Sequence, residues 1–294
     1  MASTGPPAPV FASVVIPVGA VDEHLGRQLG AVLAQHVGFA FEVIVSLNSR
    51  SPADRVALEA LVDRTRDARV RVVSSADRRG AAHARNVGAR ASTAPVLAFC
   101  DSDDEVQPGW LATLARALDS ADAVTGQVRE LAPPGQESWR PPATPGRLPT
   151  FLGAAYLLSG NLAIRRDALL AVGGFDESLT RCEDIALGWA LSQRGFRLGY
   201  AADAVLDYHH RAGLGALMRQ HYLYGRGMAE VLSRYAVPGT GATRPLTGLA
   251  ALRPNGQPAP TGLATFLRRA SLAAGRAVGV LLERRRGRRH PPAP

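Results

Sequence analysis

Apolar residues in the first half of the chain fall into two alternating patterns. Mostly apolar runs read as strands: Ser13-Val14-Val15-Ile16-Pro17-Val18 as a buried first strand, Glu42-Val43-Ile44-Val45-Ser46-Leu47 as a second, Val70-Arg71-Val72-Val73 as a short one and Val96-Leu97-Ala98-Phe99-Cys100 as the next. Between them apolar positions are spaced three and four apart, as in Leu25, Leu29, Val32 and Leu33, the stripe of an amphipathic helix. Further helices are predicted over 53–65 and, after a start at Gly80, over 78–91. Leu111, Leu114 and Leu118 predict another behind Pro108-Gly109-Trp110. Strands alternating with helices of this length predict an α/β fold on a mostly parallel, doubly wound sheet.

The later pattern is less regular. Residues 131–149 are dense in proline and glycine, enclose Trp139 and Arg140, and read as a long loop. Apolar order returns over Tyr156-Leu157-Leu158-Ser159-Gly160-Asn161-Leu162-Ala163-Ile164, and Asp167 is placed to cap a short helix ending at Gly173-Gly174. Arg181-Cys182-Glu183-Asp184-Ile185 leads a helix through Trp189 to Gln193. A strand pair is expected over 197–208, ending at His209-His210, then a helix carrying Leu217, Tyr222 and Leu223. The resulting division is a disordered leader 1–11, a domain 12–235 (halves 12–130 and 150–235), a Gly/Pro-rich linker 236–260, and a basic amphipathic helix and tail 261–294. There is no internal repeat.

Composition narrows the class. At 294 residues, 46% hydrophobic and 20% charged, the chain is globular in type. It contains no lysine, so all 34 basic residues are arginine and the net charge is +9. Part of that excess is local, in Arg284, Arg285, Arg286, Arg288 and Arg289. Positive charge permits phosphate-rich substrates, nucleic acid or an anionic membrane. No aromatic stacking platform accompanies it, so no nucleic-acid partner is expected. Cys100 and Cys182 make no disulfide framework and suggest a reducing compartment. No signal peptide and no long apolar span is read, so the expected location is cytoplasmic, with or without contact at the inner face of the membrane.

The chemistry concentrates where the run Val96–Cys100 stops in Asp101-Ser102-Asp103-Asp104-Glu105. Strand, acidic loop, helix is where an open α/β sheet places ligands, at the carboxyl ends of its strands. Clustered carboxylates repel, and a hard divalent cation relieves them, Mg²⁺ sharing its shell with substrate phosphates. The plainer alternative is a solvated turn in which Asp104 and Glu105 complement the next helix N-terminus.

In order, these pieces resemble the family 2 glycosyltransferases, nucleotide-sugar-dependent enzymes of the GT-A fold, a Rossmann-like three-layer arrangement. The resemblance is carried by Val14-Val15-Ile16-Pro17, Glu42-Val43-Ile44-Val45, Gly80-Ala81-Ala82-His83-Ala84-Arg85-Asn86-Val87-Gly88, Asp101-Ser102-Asp103, Asn161 to Arg166, Gly173-Gly174-Phe175-Asp176-Glu177 and Glu183-Asp184. It covers roughly residues 12–230. It departs from the family where the second strand usually ends in a base-binding Asp; here the positions read Ser46-Leu47-Asn48-Ser49, so Asn48 or Ser46 would have to substitute. The arginine-tryptophan signature of processive relatives is missing from Gln220-His221-Tyr222-Leu223-Tyr224, which favours transfer of a single sugar.

The resemblance implies inverting, metal-dependent transfer from a nucleotide diphosphate sugar to a glycan, lipid-linked or small-molecule acceptor. Asp184 would be the general base, with Glu183 orienting it or the acceptor. Asp101, Asp103 and His209 (His210 being its rival) would hold Mn²⁺ or Mg²⁺. Pro17, Asn48, Gly80, Arg85, Asn86, Asp101 and Ser102 would line the donor. Arg211 and Arg226 are candidates for phosphate contact, and the two cysteines are expected to have no catalytic role. The alternative is a catalytically inactive protein that keeps the fold as a scaffold. For the last helix, Phe266, Leu267, Ala270, Ala274, Ala277, Val278, Leu281 and Leu282 suit either a membrane surface or docking on the domain, with a disordered basic end.

Overall fold

A computed structural model describes residues 9–139, 146–239 and 262–289, the last four for their backbone alone. The first half runs β1 (Ala12–Val18), α1 (Glu23–Leu33), β2 (Phe41–Leu47), α2 (Pro52–Thr65), β3 (Val70–Ser74), α3 (Ala81–Ala91) and β4 (Val96–Cys100). All seven residues of β1 and all five of β4 are buried, as central strands of a sheet covered on both faces require. Next come β5 (Glu105–Val106), α4 (Trp110–Ala117), β6 (Ala123–Leu131) and the short β7 (Thr150–Phe151) and β8 (Ala154–Ala155). The remainder is β9 (Asn161–Arg165), α5 (Arg166–Ala171), α6 (Glu183–Gln193), β10 (Leu198–His209), α7 (Leu214–Arg234) and α8 (Leu263–Arg289).

Eight strands form one sheet in the order β3-β2-β1-β4-β9-β6-β10-β5. β1 pairs in parallel with β2 and β4, and β2 with β3. β9 inserts antiparallel between β4 and β6, and β10 then lies parallel to β6. Strands from the two ends of the chain therefore interleave, and the halves 12–130 and 150–235 share one sheet. One face packs on α1 and α4 through Val14, Ile16, Leu25, Leu29, Trp110 and Leu114; the other packs around Val15, Ile44, Phe99, Phe175 and Leu187. α3 can close on β1 because residue 88 is glycine: a Cβ there would stand 2.3 Å from Val15 Cγ1. Asn161, fully buried, ties the inserted strand in place: Trp110 Nε1 donates to its Oδ1 at 2.8 Å, and its Nδ2 donates to the carbonyls of Gln127 and Ala204.

Four expectations change. The acidic loop does not cap the next helix, because Glu105-Val106 pairs with β10 before α4 begins behind Gly109. Asp167 lies inside the first turn of α5, and its carboxylate meets the adjacent Ala168 N–H; Arg165 takes the cap position. The expected strand pair is a single strand, β10, irregular between Ala201 and Val205. α8 docks along α7 and continues as helix through Arg289, so the basic run begins inside a helix. The leader and the linker lie almost wholly outside the described residues. No helix among the described residues is long and apolar enough to cross a membrane.

Candidate active site

The acidic loop leaves the carboxyl end of β4 beside β1, and Gln28 fastens it. Gln28 Nε2 donates to the Asp101 carbonyl at 2.8 Å, and its Oε1 accepts from Val106 N–H at 3.0 Å. The three aspartates then diverge. Asp103 is about half exposed, 49%, with Arg211 3.9 Å away. Burial and the negative charge of Asp101 raise its pKa. Asp104 is buried, and desolvation with the charges of Asp101 and Asp103 pushes it up to about 9. Its Oδ1 accepts from His209 N–H at 3.3 Å.

Asp101 turns toward Arg85, which joins the two acidic motifs. From α3 the guanidinium donates through Nη2 to Asp101 Oδ1 at 2.6 Å and through Nη1 to Glu183 Oε1 at 2.7 Å. Its side chain is only 3% exposed. Burial works against the charge, but attraction to Asp101 and Glu183 more than offsets it and raises the Arg85 pKa. Gly160 leaves room on the far side of Asp101, where a Cβ would approach Oδ2 to 2.9 Å. The loop after β4 and the start of α6 are thus held one guanidinium apart.

Glu183 and Asp184 open α6 behind Cys182, whose backbone is left-handed at φ 64°. That conformation costs a non-glycine residue energy and often marks functional sites. Glu183 is committed to Arg85, whereas the Asp184 carboxylate accepts from backbone N–H groups, that of Ile185 at 2.8 Å, and stays partly open to solvent. Desolvation first, then the charge of Glu183, raises Asp184 to about 7. A carboxylate poised there can accept a proton near neutral pH.

Two other expected donor residues are built into the walls. Asn48 donates to the Arg78 carbonyl at 2.8 Å and accepts from Gly80 N–H at 2.9 Å, so its amide shapes the β3–α3 loop. Asn86 donates to the Phe175 carbonyl and Glu177 Oε1 and accepts from Phe175 N–H, clamping the turn after Gly174. Ser46 is fully buried against Ser75, and Pro17 is buried in β1. Gly80 adopts φ 139° ahead of α3 and Ser102 sits partly exposed in the acidic loop.

The histidines separate. The His209 ring lies 6.0 Å from that of His24, with Nδ1 buried and without a hydrogen bond, while His210 packs on Tyr208 and stands 3.4 Å from Glu130. Of the two candidate arginines, Arg211 reaches the acidic loop; Arg226 faces Glu230 one turn along α7. Burial pushes both cysteine thiols up, so neither is a thiolate. Asp101 and Asp103 suit a hard cation: they crowd each other, and both present oxygens to solvent. His209 borders the same loop through its backbone N–H on Asp104, and among the described residues no group of three or more His, Cys, Asp or Glu side chains is placed to hold a metal.

Residues 13–172, more than half of the chain, match the sequence profile of glycosyl transferase family 2. The chain belongs to that family. Among curated family relatives, the pre-mycofactocin glycosyltransferase of Mycobacterium tuberculosis is 30% identical over 170 residues, 53% of this chain and 36% of that protein. The chain thus spans about a third of that relative's length. Glycosyltransferase AglE of Haloferax volcanii is 25% identical over 227 residues, 75% of this chain and 74% of its own. Among solved structures, a mannosyltransferase from Pyrobaculum calidifontis in complex with GDP-Man and Mn²⁺ superposes with TM-score 0.61 at 18% identity, covering 95% of this chain and 79% of that one. TarS of S. aureus with UDP-GlcNAc gives TM-score 0.56 at 18% identity, over 76% and 72% of the two chains. These likenesses establish the GT-A fold.

Sequence reasoning missed two side chains that shape this site in the family 2 chain. Gln28 was legible as a polar residue inside the apolar stripe of α1, between Leu25 and Leu29. His83 lies inside the Gly80–Gly88 segment but is not marked out within it: it bridges Asp77, 2.9 Å from Nε2, and Glu177, 2.8 Å from Nδ1, fixing the β3–α3 loop to the turn that Asn86 clamps.

Proposed function

We propose that the chain transfers a single sugar, with inversion, from a nucleotide diphosphate sugar to an acceptor hydroxyl. One observation carries the reading: Arg85 fixes the Asp101 loop and the Glu183-Asp184 pair on opposite sides of one buried guanidinium. The acidic loop of Asp101 and the Asp184 carboxylate, a proton acceptor raised to about 7, are thereby tied to one side chain. The glycosyltransferase names of the curated relatives, and the GDP-Man, Mn²⁺ and UDP-GlcNAc in the structural neighbours, support the same reading.

Asp101 and Asp103 are the residues that would hold a divalent cation, Mn²⁺ or Mg²⁺; bound there, it would neutralise charge on the departing diphosphate. Asp184 takes the proton of the acceptor hydroxyl. The acceptor oxygen bonds to the anomeric carbon while the bond from that carbon to the diphosphate oxygen breaks, releasing a nucleoside diphosphate. Glu183, neutralised by Arg85, holds α6 in register and leaves Asp184 unencumbered. Gly80, with the loop that Asn48 shapes, borders the donor, and Arg211 lies where it can meet phosphate. Release of nucleoside diphosphate on mixing donor and acceptor tests the assignment. Wild type is expected to release it and Asp184→Asn to release it about a hundredfold or more slowly. An unimpaired Asp184→Asn enzyme would remove Asp184 from the mechanism.

A further inference from the structure

Helix α8 is arranged with its polar side inward. The face against α7 buries Arg268, Ser271, Arg276 and Val280, and the Arg276 guanidinium lies 5.9 Å over the Phe151 ring. The opposite face carries Leu263, Phe266, Ala270, Ala274, Ala277 and Leu281, all in contact with solvent, with Leu263 71%, Phe266 56% and Leu281 57% exposed. At the rotation of an α-helix these six fall within an arc of about 80° that runs about 27 Å along the axis. No polar residue enters that arc before Arg284, which is exposed beside the exposed Arg285.

The orientation is locked. A Cβ on Gly275 would stand 2.0 Å from the Tyr222 carbonyl, and one on Gly225 2.1 Å from the Leu272 carbonyl. Turning the apolar arc inward would drive leucine and phenylalanine into backbone where only glycine fits. Ser233 and Arg234 of α7 hold Glu283, which also faces inward. An apolar face of this length, kept outward by the fit of its other side, needs an apolar medium.

We propose that this face of α8 seats on an anionic lipid bilayer, its apolar arc at the acyl boundary and Arg284 and Arg285 among headgroup phosphates. The alternative occupant, a second copy of the chain, lacks charge complementarity. Glu283 is the sole acidic residue of α8 and faces inward, so a paired helix offers the arginine-rich turns no counter-charge in either orientation. Anionic headgroups supply it. The inference stands on α8 alone and does not depend on the transfer reaction.

The test is flotation of the full chain with vesicles of phosphatidylcholine alone or mixed with phosphatidylglycerol, beside sedimentation without lipid. Wild type is expected to bind the anionic vesicles, and added salt to weaken it. The double variant Phe266→Asp, Leu281→Asp and the double variant Arg284→Gln, Arg285→Gln should each bind about tenfold or more weakly. All four positions are exposed or near-exposed, so thermal midpoints should match wild type; the single change Leu281→Asp serves if the double variant unfolds. Three results overturn the proposal: no binding of wild type to anionic vesicles, undiminished binding by the aspartate variants, or a lipid-free dimer that those variants split. The last would assign the face to a second copy.

Discussion

Replacing Arg85 by methionine removes the charge that two acidic motifs share and keeps an unbranched chain of similar reach. Both guanidinium contacts are short, 2.6 Å and 2.7 Å, and their carboxylates are 32% and 13% exposed. Hydrogen bonds to charged groups contribute about 1.5–3 kcal/mol each, and removing one partner of a buried pair costs about 3–5 kcal/mol. Asp101 can recover some hydration when left alone; Glu183 can recover little. The expected loss of folding stability is therefore about 3 kcal/mol, near the lower limit for a buried pair. Arg85→Lys keeps the charge but can satisfy one carboxylate at a time, so it should lose about half as much. Arg85 also opposes the upward shift of Asp184, so in Arg85→Met the acidic limb of the pH–rate profile should move to higher pH, and in Arg85→Lys it should move less. Urea midpoints at neutral pH give the first quantity, and turnover against pH gives the second. A methionine variant within about 0.5 kcal/mol of wild type, the range of ordinary surface changes, with an unmoved acidic limb, would mean that Arg85 does not couple the two acidic motifs.

Other consequences follow from single contacts. Wild-type turnover should rise with pH through about 7 as Asp184 loses its proton. Because its folded pKa is raised above the unfolded value, its ionisation opposes folding above that range, so Asp184→Asn should be the more stable protein there, by urea midpoint. His83 behaves in the opposite sense. Burial lowers its pKa but the carboxylates of Asp77 and Glu177 raise it further, for a net rise. Its stabilisation is present in full below the unfolded value near 6.5 and is lost as pH rises through the folded pKa. The stability gap between wild type and His83→Gln should therefore shrink from mildly acidic to alkaline pH; an increase would contradict the bridge. Gly88→Ala should cost about 1–3 kcal/mol by overpacking Val15, and Val15→Ala in the same chain should return part of that loss, measurable as a double-mutant coupling.

The sequence was most informative where local pattern and burial coincide. Runs such as Val14-Val15-Ile16 and Val96 to Cys100 are buried on both faces, and their register with neighbours follows from a parallel sheet. The insertion of β9 between β4 and β6 was not legible, because antiparallel pairing of Val96 with Arg165 is a long-range choice that neither segment encodes alone. β10 reads as two strands because Asp203 and its neighbours interrupt the alternation at the irregularity. At the site, Arg85 was recognisable as a motif residue, yet its partners Asp101 and Glu183 lie 16 and 98 positions away, a distance that only the fold closes. For α8 the apolar periodicity was visible, but which face docks is decided by Gly225, Gly275 and the backbone they admit. Small residues, which a hydrophobicity pattern passes over, fixed that contact.

The most direct test is a calorimetric titration of nucleotide-sugars into the full chain with Mn²⁺, Mg²⁺ or EDTA, on wild type and Asp103→Ala. One donor should bind with metal, lose affinity in EDTA and lose it again in Asp103→Ala. A folded chain that binds no nucleotide-sugar under any of these conditions, or binds one equally well in EDTA and in the variant, would rule out a metal-dependent donor site at the acidic loop.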